Sequence, residues 1–190
     1  MSASSARPIM TAEGALLTKL IAQYSQLGYR LSLLEVEKLA YFLQEAGEPL
    51  RLNFTKGLYG PYAHNLNKVL ERLEGHFIRG YSDSQKSDAE LRLLPDAITE
   101  ANAFLQGAAA SQQRLQQVSA LIEGFETPYG MELLASVHWL TTHEEPIAVT
   151  AEQSIIGIQQ WNQRKHKTFQ PAHIEIAWQR LHSEVGAKAM

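Results

Sequence analysis

Residues 33–81, LLEVEKLAYFLQEAGEPLRLNFTKGLYGPYAHNLNKVLERLEGHFIRGY, constrain the fold more than any other stretch, because two well-punctuated helices are joined there by a glycine- and proline-rich loop. Ser32 and Glu35 have the spacing of a capping box, which closes the orphan amides of a first helical turn. Val36, Leu39, Ala40 and Leu43 then recur on one helical face, and Gly47 followed by Pro49 supplies the cap and the stop. Residues 50–54 alternate apolar and polar, the pattern of a short half-buried strand. Pro61 suits a first helical position, and Leu66, Val69, Leu70 and Leu73 form the buried stripe of a helix that Gly75 ends. Residues 77–81 read as extended.

Between these elements lies TKGLYGPY, residues 55–62, where glycine opens backbone angles closed to other residues. Two readings stand side by side. In one the segment is a tight turn with Tyr59 and Tyr62 packed on the core, since glycine and proline usually punctuate structure. In the other it is a recognition loop presenting Lys56, Tyr59 and Tyr62, because exposed tyrosine is a rigid amphipathic anchor.

The remaining chain reads as mainly helical. Residues 10–28 form an amphipathic helix with Leu16, Leu17, Leu20, Ile21, Tyr24 and Leu27 inward and Gly28 as the stop. Residues 82–90, SDSQKSDAE, are a polar surface connection, and with residues 77–81 and 91–94 they make a small hairpin with a long loop. Helical faces follow at Ala97, Ile98, Ala101, Phe104 and Leu105, and at Leu115, Val118, Ile122 and Phe125. Residues 107–111 separate the two. Thr127 and Pro128 cap a helix through Met131, Leu134, Ala135 and His138 that ends before Pro146. Thr150 and Gln153 open another, running through Ile155 and Ile158 toward Trp161, and a last helix follows Pro171 with Ile174, Ala177, Trp178 and Leu181 inward. The expected class is mainly α, a single compact domain of about eight helices with a small β-hairpin or short sheet.

A chain of 190 residues buries about 70% of its unfolded surface, enough for one core. No repeat period is present. Cysteine is absent, which excludes disulfides and thiolate metal sites and suits a reducing cytoplasm. No run of about 18 apolar residues marks a membrane span. Residues 1–10 lack the apolar centre of a signal peptide and read as a flexible leader, with the domain over 11–190.

The chemistry of common enzymes is hard to find. His138, His143, Glu144 and Glu145 lie in HWLTTHEE, but the histidines are five apart where a helical zinc pair needs them four apart, and Pro146 breaks the helix. No phosphate-cradling glycine loop or nucleophile elbow occurs. Glu123, Glu126 and Glu132 around GFETPYG make either an acidic patch or ordinary solvated helix ends. A net charge of −3 argues against gripping duplex DNA, and the basic run RKHK, residues 164–167, reads as a solvated helix end. No catalytic group, metal or cofactor is expected.

Residues 33–81, together with LIEGFETPYGMELLASVHWL and WNQRKHKTFQPAHIEIAWQRL, resemble the C-terminal domain of DarG, the antitoxin of the DarTG toxin–antitoxin system. The KLAYFLQ helix followed by YGPY also resembles the wider Panacea antitoxin class. The resemblance covers nearly all of the chain after Met10. It implies a cytoplasmic, non-catalytic domain, normally fused to an N-terminal macrodomain that removes ADP-ribose from DNA. Its implied partner is a DarT-type toxin, which ADP-ribosylates thymidine in single-stranded DNA and which the domain inhibits, with mimicry of the DNA as a route open to an acidic body. The expected partner-binding residues are Lys56, Tyr59 and Tyr62 in the loop and Glu123, Glu126 and Tyr129 at the FETPYG turn. The alternative is a helical nucleic-acid-binding regulator using RKHK beside Phe169, although nucleic acid is the less expected partner. A hydrolase built on histidine and carboxylate ranks last.

Overall fold

A computed structural model describes residues 7–28, 30–82 and 89–190. Among them the elements run α1 (Ala12–Gln26), α2 (Leu33–Glu45), β1 (Phe54–Gly57), β2 (Gly60–Ala63), α3 (Leu66–Leu73), β3 (Ile78–Arg79), β4 (Arg92–Leu93), α4 (Ala97–Leu105), α5 (Ala109–Ile122), α6 (Pro128–Thr142), α7 (Ala151–Trp161), α8 (Gln163–Thr168), α9 (Pro171–Leu181) and α10 (Glu184–Ala189). The class is mainly α, as expected, with ten helices among the described residues and two antiparallel two-stranded ribbons, β1–β2 and β3–β4.

The capping signals act where the sequence places them. Ser32 Oγ accepts from the Glu35 amide at 3.4 Å while Glu35 Oε1 accepts from the Ser32 amide at 3.2 Å, so both orphan donors of α2 are satisfied. Thr127 accepts from the Gly130 amide at 2.9 Å with Pro128 in the first turn of α6. Thr150 accepts from the Gln153 amide, and Gln153 returns its oxygen to the Val149 amide. Helix α6 is the central post, buried on Met131, Leu134, Ala135 and His138 and on much of its remaining surface. Helices α2 and α9 and the β2 strand pack against it, α4 packs on α1, and α7 packs on α8 and α9.

Three local expectations need correction. Residues 50–53 form no strand, because two side-chain amides take the bonds a neighbouring strand would supply. Gln44 donates to the Leu52 carbonyl at 2.9 Å and accepts from the Leu52 amide at 2.8 Å; Asn65 accepts from the Asn53 amide and donates to the Arg51 carbonyl, each at 3.0 Å. The glycine-rich segment 55–62 is not an irregular loop but the β1–β2 hairpin, paired from Phe54 with Ala63 to Gly57 with Gly60. Pro61 does not open a helix. It sits in β2 opposite Lys56, on a two-stranded ribbon whose edge tolerates its missing N–H, and α3 begins only at Leu66. Asn65 at the N-cap of α3 makes no cap bond, its amide being engaged with residues 51 and 53.

The expected hairpin of residues 77–94 is the β3–β4 ribbon, Ile78 opposite Leu93. Most of its connection, residues 83–88, lies outside the described residues, as do residues 1–6 of the expected leader. Arg7 pairs with Glu100 at 2.5 Å and lies over the Phe77 ring at 4.8 Å. No helix among the described residues is long and apolar enough to cross a membrane.

Candidate functional site

The β1–β2 hairpin packs through β2 on α6 and α2, and a buried polar network holds it there. Lys38 of α2, almost fully buried, donates to the Pro61 carbonyl at 2.7 Å. Lys165 of α8 is also buried; it donates to Ser136 Oγ of α6 at 3.1 Å and meets the Glu132 carboxylate at 3.3 Å. Arg164 reaches the same Glu132 oxygen at 2.7 Å. Gly60 closes the seat: at its φ of +100° a side chain is strained, and a Cβ would stand 2.7 Å from Ser136 Oγ. The turn is fastened from α7 and the start of α8, where Trp161 Nε1 donates to the Gly57 carbonyl at 2.9 Å and Asn162 donates to the Leu58 carbonyl at 3.0 Å.

Burial shapes the titration of this network. It pushes the Lys165 amine down to about 8, with the Glu132 charge opposing the shift. Lys38 is likewise pushed down by burial, and the adjacent Glu37 carboxylate opposes this; Glu37 is pushed up by its own burial. One Glu37 oxygen accepts from the Ala63 amide at 3.3 Å and the other has no hydrogen-bond partner.

Beside the hairpin lies a groove of about 460 Å³ lined by Lys56, Glu144, Glu145, Gln153, Gln160 and the apolar Ile147 and Ile156. Lys56 pairs with Glu144 at 2.5 Å and its ammonium stands over the Trp161 ring at 4.7 Å, so one residue belongs to both hairpin and groove. Beneath this region Tyr41 and His138 share a buried hydrogen bond of 2.6 Å, and His143 stacks on Trp139 and bonds Glu45 at 2.6 Å. Burial drives the His138 imidazole down to about 3, with His143 and His182 adding to the shift.

The structure separates the sequence-selected residues into two groups. Lys56, Tyr59 and Tyr62 share the hairpin; Tyr59 and Tyr62 are 46% and 39% exposed, so neither is packed on the core. Glu123, Glu126 and Tyr129 sit at the α5–α6 junction. Glu126 accepts from the Gly124 amide within its own turn, the Glu123 carbonyl accepts from Arg180, and Tyr129 bonds His173 at 2.8 Å. Glu132 is no surface acid but the buried counter-ion of Arg164 and Lys165. RKHK is accordingly no fully solvated run, and Lys165 and Phe169 are both buried, so neither reaches a phosphate or a base. Sequence reasoning missed Lys38, Ser136 and Trp161. Their partners lie far along the chain, and no local spacing announces them.

No family model matches the chain. It is 44% identical over 171 residues to a DNA ADP-ribosyl glycohydrolase of Thermus aquaticus, an alignment covering 90% of this chain and 46% of that protein. Two further DNA ADP-ribosyl glycohydrolases, of Mycobacterium bovis and Mycobacterium tuberculosis, are 36% identical over 160 residues, with 80% of this chain and 44% of theirs covered. The chain spans less than half the length of these curated relatives.

These relatives correct the functional expectation. They are named for an enzyme that removes ADP-ribose from DNA, and no part of that name refers to toxin binding or inhibition. The expectations of a toxin-binding antitoxin domain, of DNA mimicry and of a non-enzymatic protein are therefore set aside. So is the alternative of a regulator working through RKHK and Phe169, two of whose members are buried.

Proposed function

We propose that this chain is part of a DNA ADP-ribosyl glycohydrolase and that it meets ADP-ribosylated DNA on the hairpin face. The observation that carries the reading is the 44% identity over 171 residues to a protein of that name. The groove beside the hairpin has the functional groups such a ligand calls for. Lys56 supplies a cation for phosphate oxygens, Gln153 and Gln160 supply amides for ribose hydroxyls, and Ile147 and Ile156 supply apolar surface. Hydrolysis of a glycosidic bond commonly employs carboxyl groups flanking it, and Glu144 and Glu145 stand on the groove wall. The reading includes a cytoplasmic location, the compartment that a cysteine-free chain suits.

The test is an oligonucleotide carrying ADP-ribose, incubated with the chain and followed for release of free ADP-ribose and for retention of the oligonucleotide. Release that falls on Glu145→Gln, or retention of the modified over the bare oligonucleotide that falls on Lys56→Ala, supports the proposal. Absence of release together with equal retention of the modified and bare oligonucleotides overturns it.

A further inference from the structure

We infer that the outer edge of β1 is a docking site for an extended peptide segment of another protein, which pairs with Phe54 and Lys56 as a third strand of the hairpin and lays side chains into the groove beside it. The inference goes beyond the glycohydrolase reading and holds whether or not the groove receives an ADP-ribosyl group.

The register of the hairpin decides which way the backbone groups of β1 turn. In an antiparallel pair, opposed residues alternate between those that bond each other and those whose amides and carbonyls turn away. Pro61 has no N–H to give, and its carbonyl turns away from β1 to accept from Lys38 at 2.7 Å; the Ala63 amide turns the same way and donates to Glu37 at 3.3 Å. Helix α2 therefore covers the far edge of β2. Lys56 lies opposite Pro61, and Phe54 lies opposite Ala63. Their amides and carbonyls consequently turn outward from β1, and among the described residues no backbone group or side chain outside the ribbon takes any of them. It is β2 that packs on α2 and α6.

An edge of alternating N–H and C=O groups is matched by another extended backbone, which offers both in the same repeat; a nucleic-acid strand has no such row of donors, and a helix has spent its own. Lys56 also lines the groove of about 460 Å³, which places room for side chains next to the open edge. Ile147 and Ile156, 48% and 51% exposed, give that groove an apolar wall. Of its three charged side chains, Lys56 and Glu144 pair with each other, while Glu145 makes no ion pair among the described residues. The occupant is thus an extended segment with an apolar residue for the isoleucines and a basic one for Glu145. A second copy of the chain offers the same backbone match but brings no free cation, its own Lys56 being paired.

The experiment joins amide hydrogen exchange of the full chain to the binding of a dye-labelled heptapeptide that alternates valine with arginine and threonine. In the free chain the Phe54 and Lys56 amides should exchange fast while the Thr55 amide, turned toward Tyr62, is protected; the peptide should bring the first two into protection. Methylating one alternate set of peptide nitrogens should weaken binding about fivefold for each bond lost, and methylating the other set should leave it unchanged. Lys56→Pro removes an outward amide without touching a β1–β2 bond and should abolish binding, whereas Lys56→Ala keeps that amide and should retain it. Where Lys56→Pro fails to fold, the methylated peptides decide. No binding, equal losses from the two methylated sets, equal binding by the folded Lys56→Pro and Lys56→Ala variants, or protection of both amides in the free chain at every concentration overturns the assignment. Protection that grows with chain concentration in the absence of peptide gives the edge to a second copy and overturns it as well.

Discussion

Glu132 and Lys165 meet at 3.3 Å with neither side chain reaching solvent, and Arg164 approaches the same carboxylate oxygen from the surface at 2.7 Å. One buried acid thus neutralises two cations of different depth. Glu132→Gln leaves a buried ammonium without its counter-charge and should cost about 3–5 kcal/mol, whereas Arg164→Gln removes only a partly exposed partner and should cost about 1 kcal/mol or less. Urea unfolding of both variants checks this; losses of equal size would show that depth does not govern the pair.

His138 links acidity to stability. Its imidazole titrates at 6.5 when free and is driven to about 3 by burial. Between these values the unfolded chain holds a proton that the folded chain does not, so this contribution is intact above 6.5 and is lost as the pH falls toward 3. The slope should approach about 1.4 kcal/mol per pH unit. His138→Gln, which can still bond the Tyr41 hydroxyl, should flatten it. An unchanged acid limb in that variant would rule His138 out as its source.

Glu35 works in the opposite direction. Burial lifts its carboxyl from 4.5 to about 7 against the lowering effect of the Ser32 amide, and Tyr24 hydrogen-bonds the other oxygen. A raised folded value means stability that is complete below 4.5 and lost as the pH rises through 7. Glu35→Gln keeps an acceptor for the Ser32 amide and removes the ionisation, so it should lose less stability than the parent between about pH 5 and about pH 8. Denaturation midpoints at the two pH values decide; parallel changes would mean the buried carboxyl is not responsible. Between 4.5 and 6.5 the contribution of Glu35 falls as the pH rises while that of His138 grows, and Glu37, also raised by burial, adds to the fall.

Two glycines separate strain from collision. Gly75, at φ +78°, has nothing within 4 Å of an added Cβ, so Gly75→Ala should cost about 1 kcal/mol for the left-handed backbone alone. Gly60→Ala adds a Cβ 2.7 Å from Ser136 Oγ and should cost roughly twice as much or more. Introduced into a Ser136→Ala background, Gly60→Ala should cost less by the collision part only, the loss of the Lys165 hydrogen bond being common to both members of that pair. Thermal unfolding of the variants tests the division, and no cost of Gly60→Ala in the Ser136→Ala background would mean backbone strain plays no part.

Legibility followed the range of the interactions. Ser32 with Glu35, Thr127 with Pro128 and Thr150 with Gln153 are signals complete within a few residues, and each produced the expected helix start. Residues 50–53 misled because the amides replacing a strand partner come from Gln44 and Asn65, which no alternation pattern reveals. RKHK looked solvated because the acid that draws Lys165 inward lies on another helix, at Glu132. At the candidate site Lys56, Tyr59 and Tyr62 were readable as residues of one turn, while their pairing as a hairpin and the seat beneath them, Lys38, Ser136 and Trp161, were not. No short motif marked the relationship to the glycohydrolases either, since that likeness is spread over 171 residues.

The hairpin is gripped at the carbonyls of Gly57, Leu58 and Pro61, groups that every amino acid possesses. Positions 58 and 59 can therefore be exchanged like bits in a fixed chuck, so that a new grip needs only new side chains there and no change to the helices behind them.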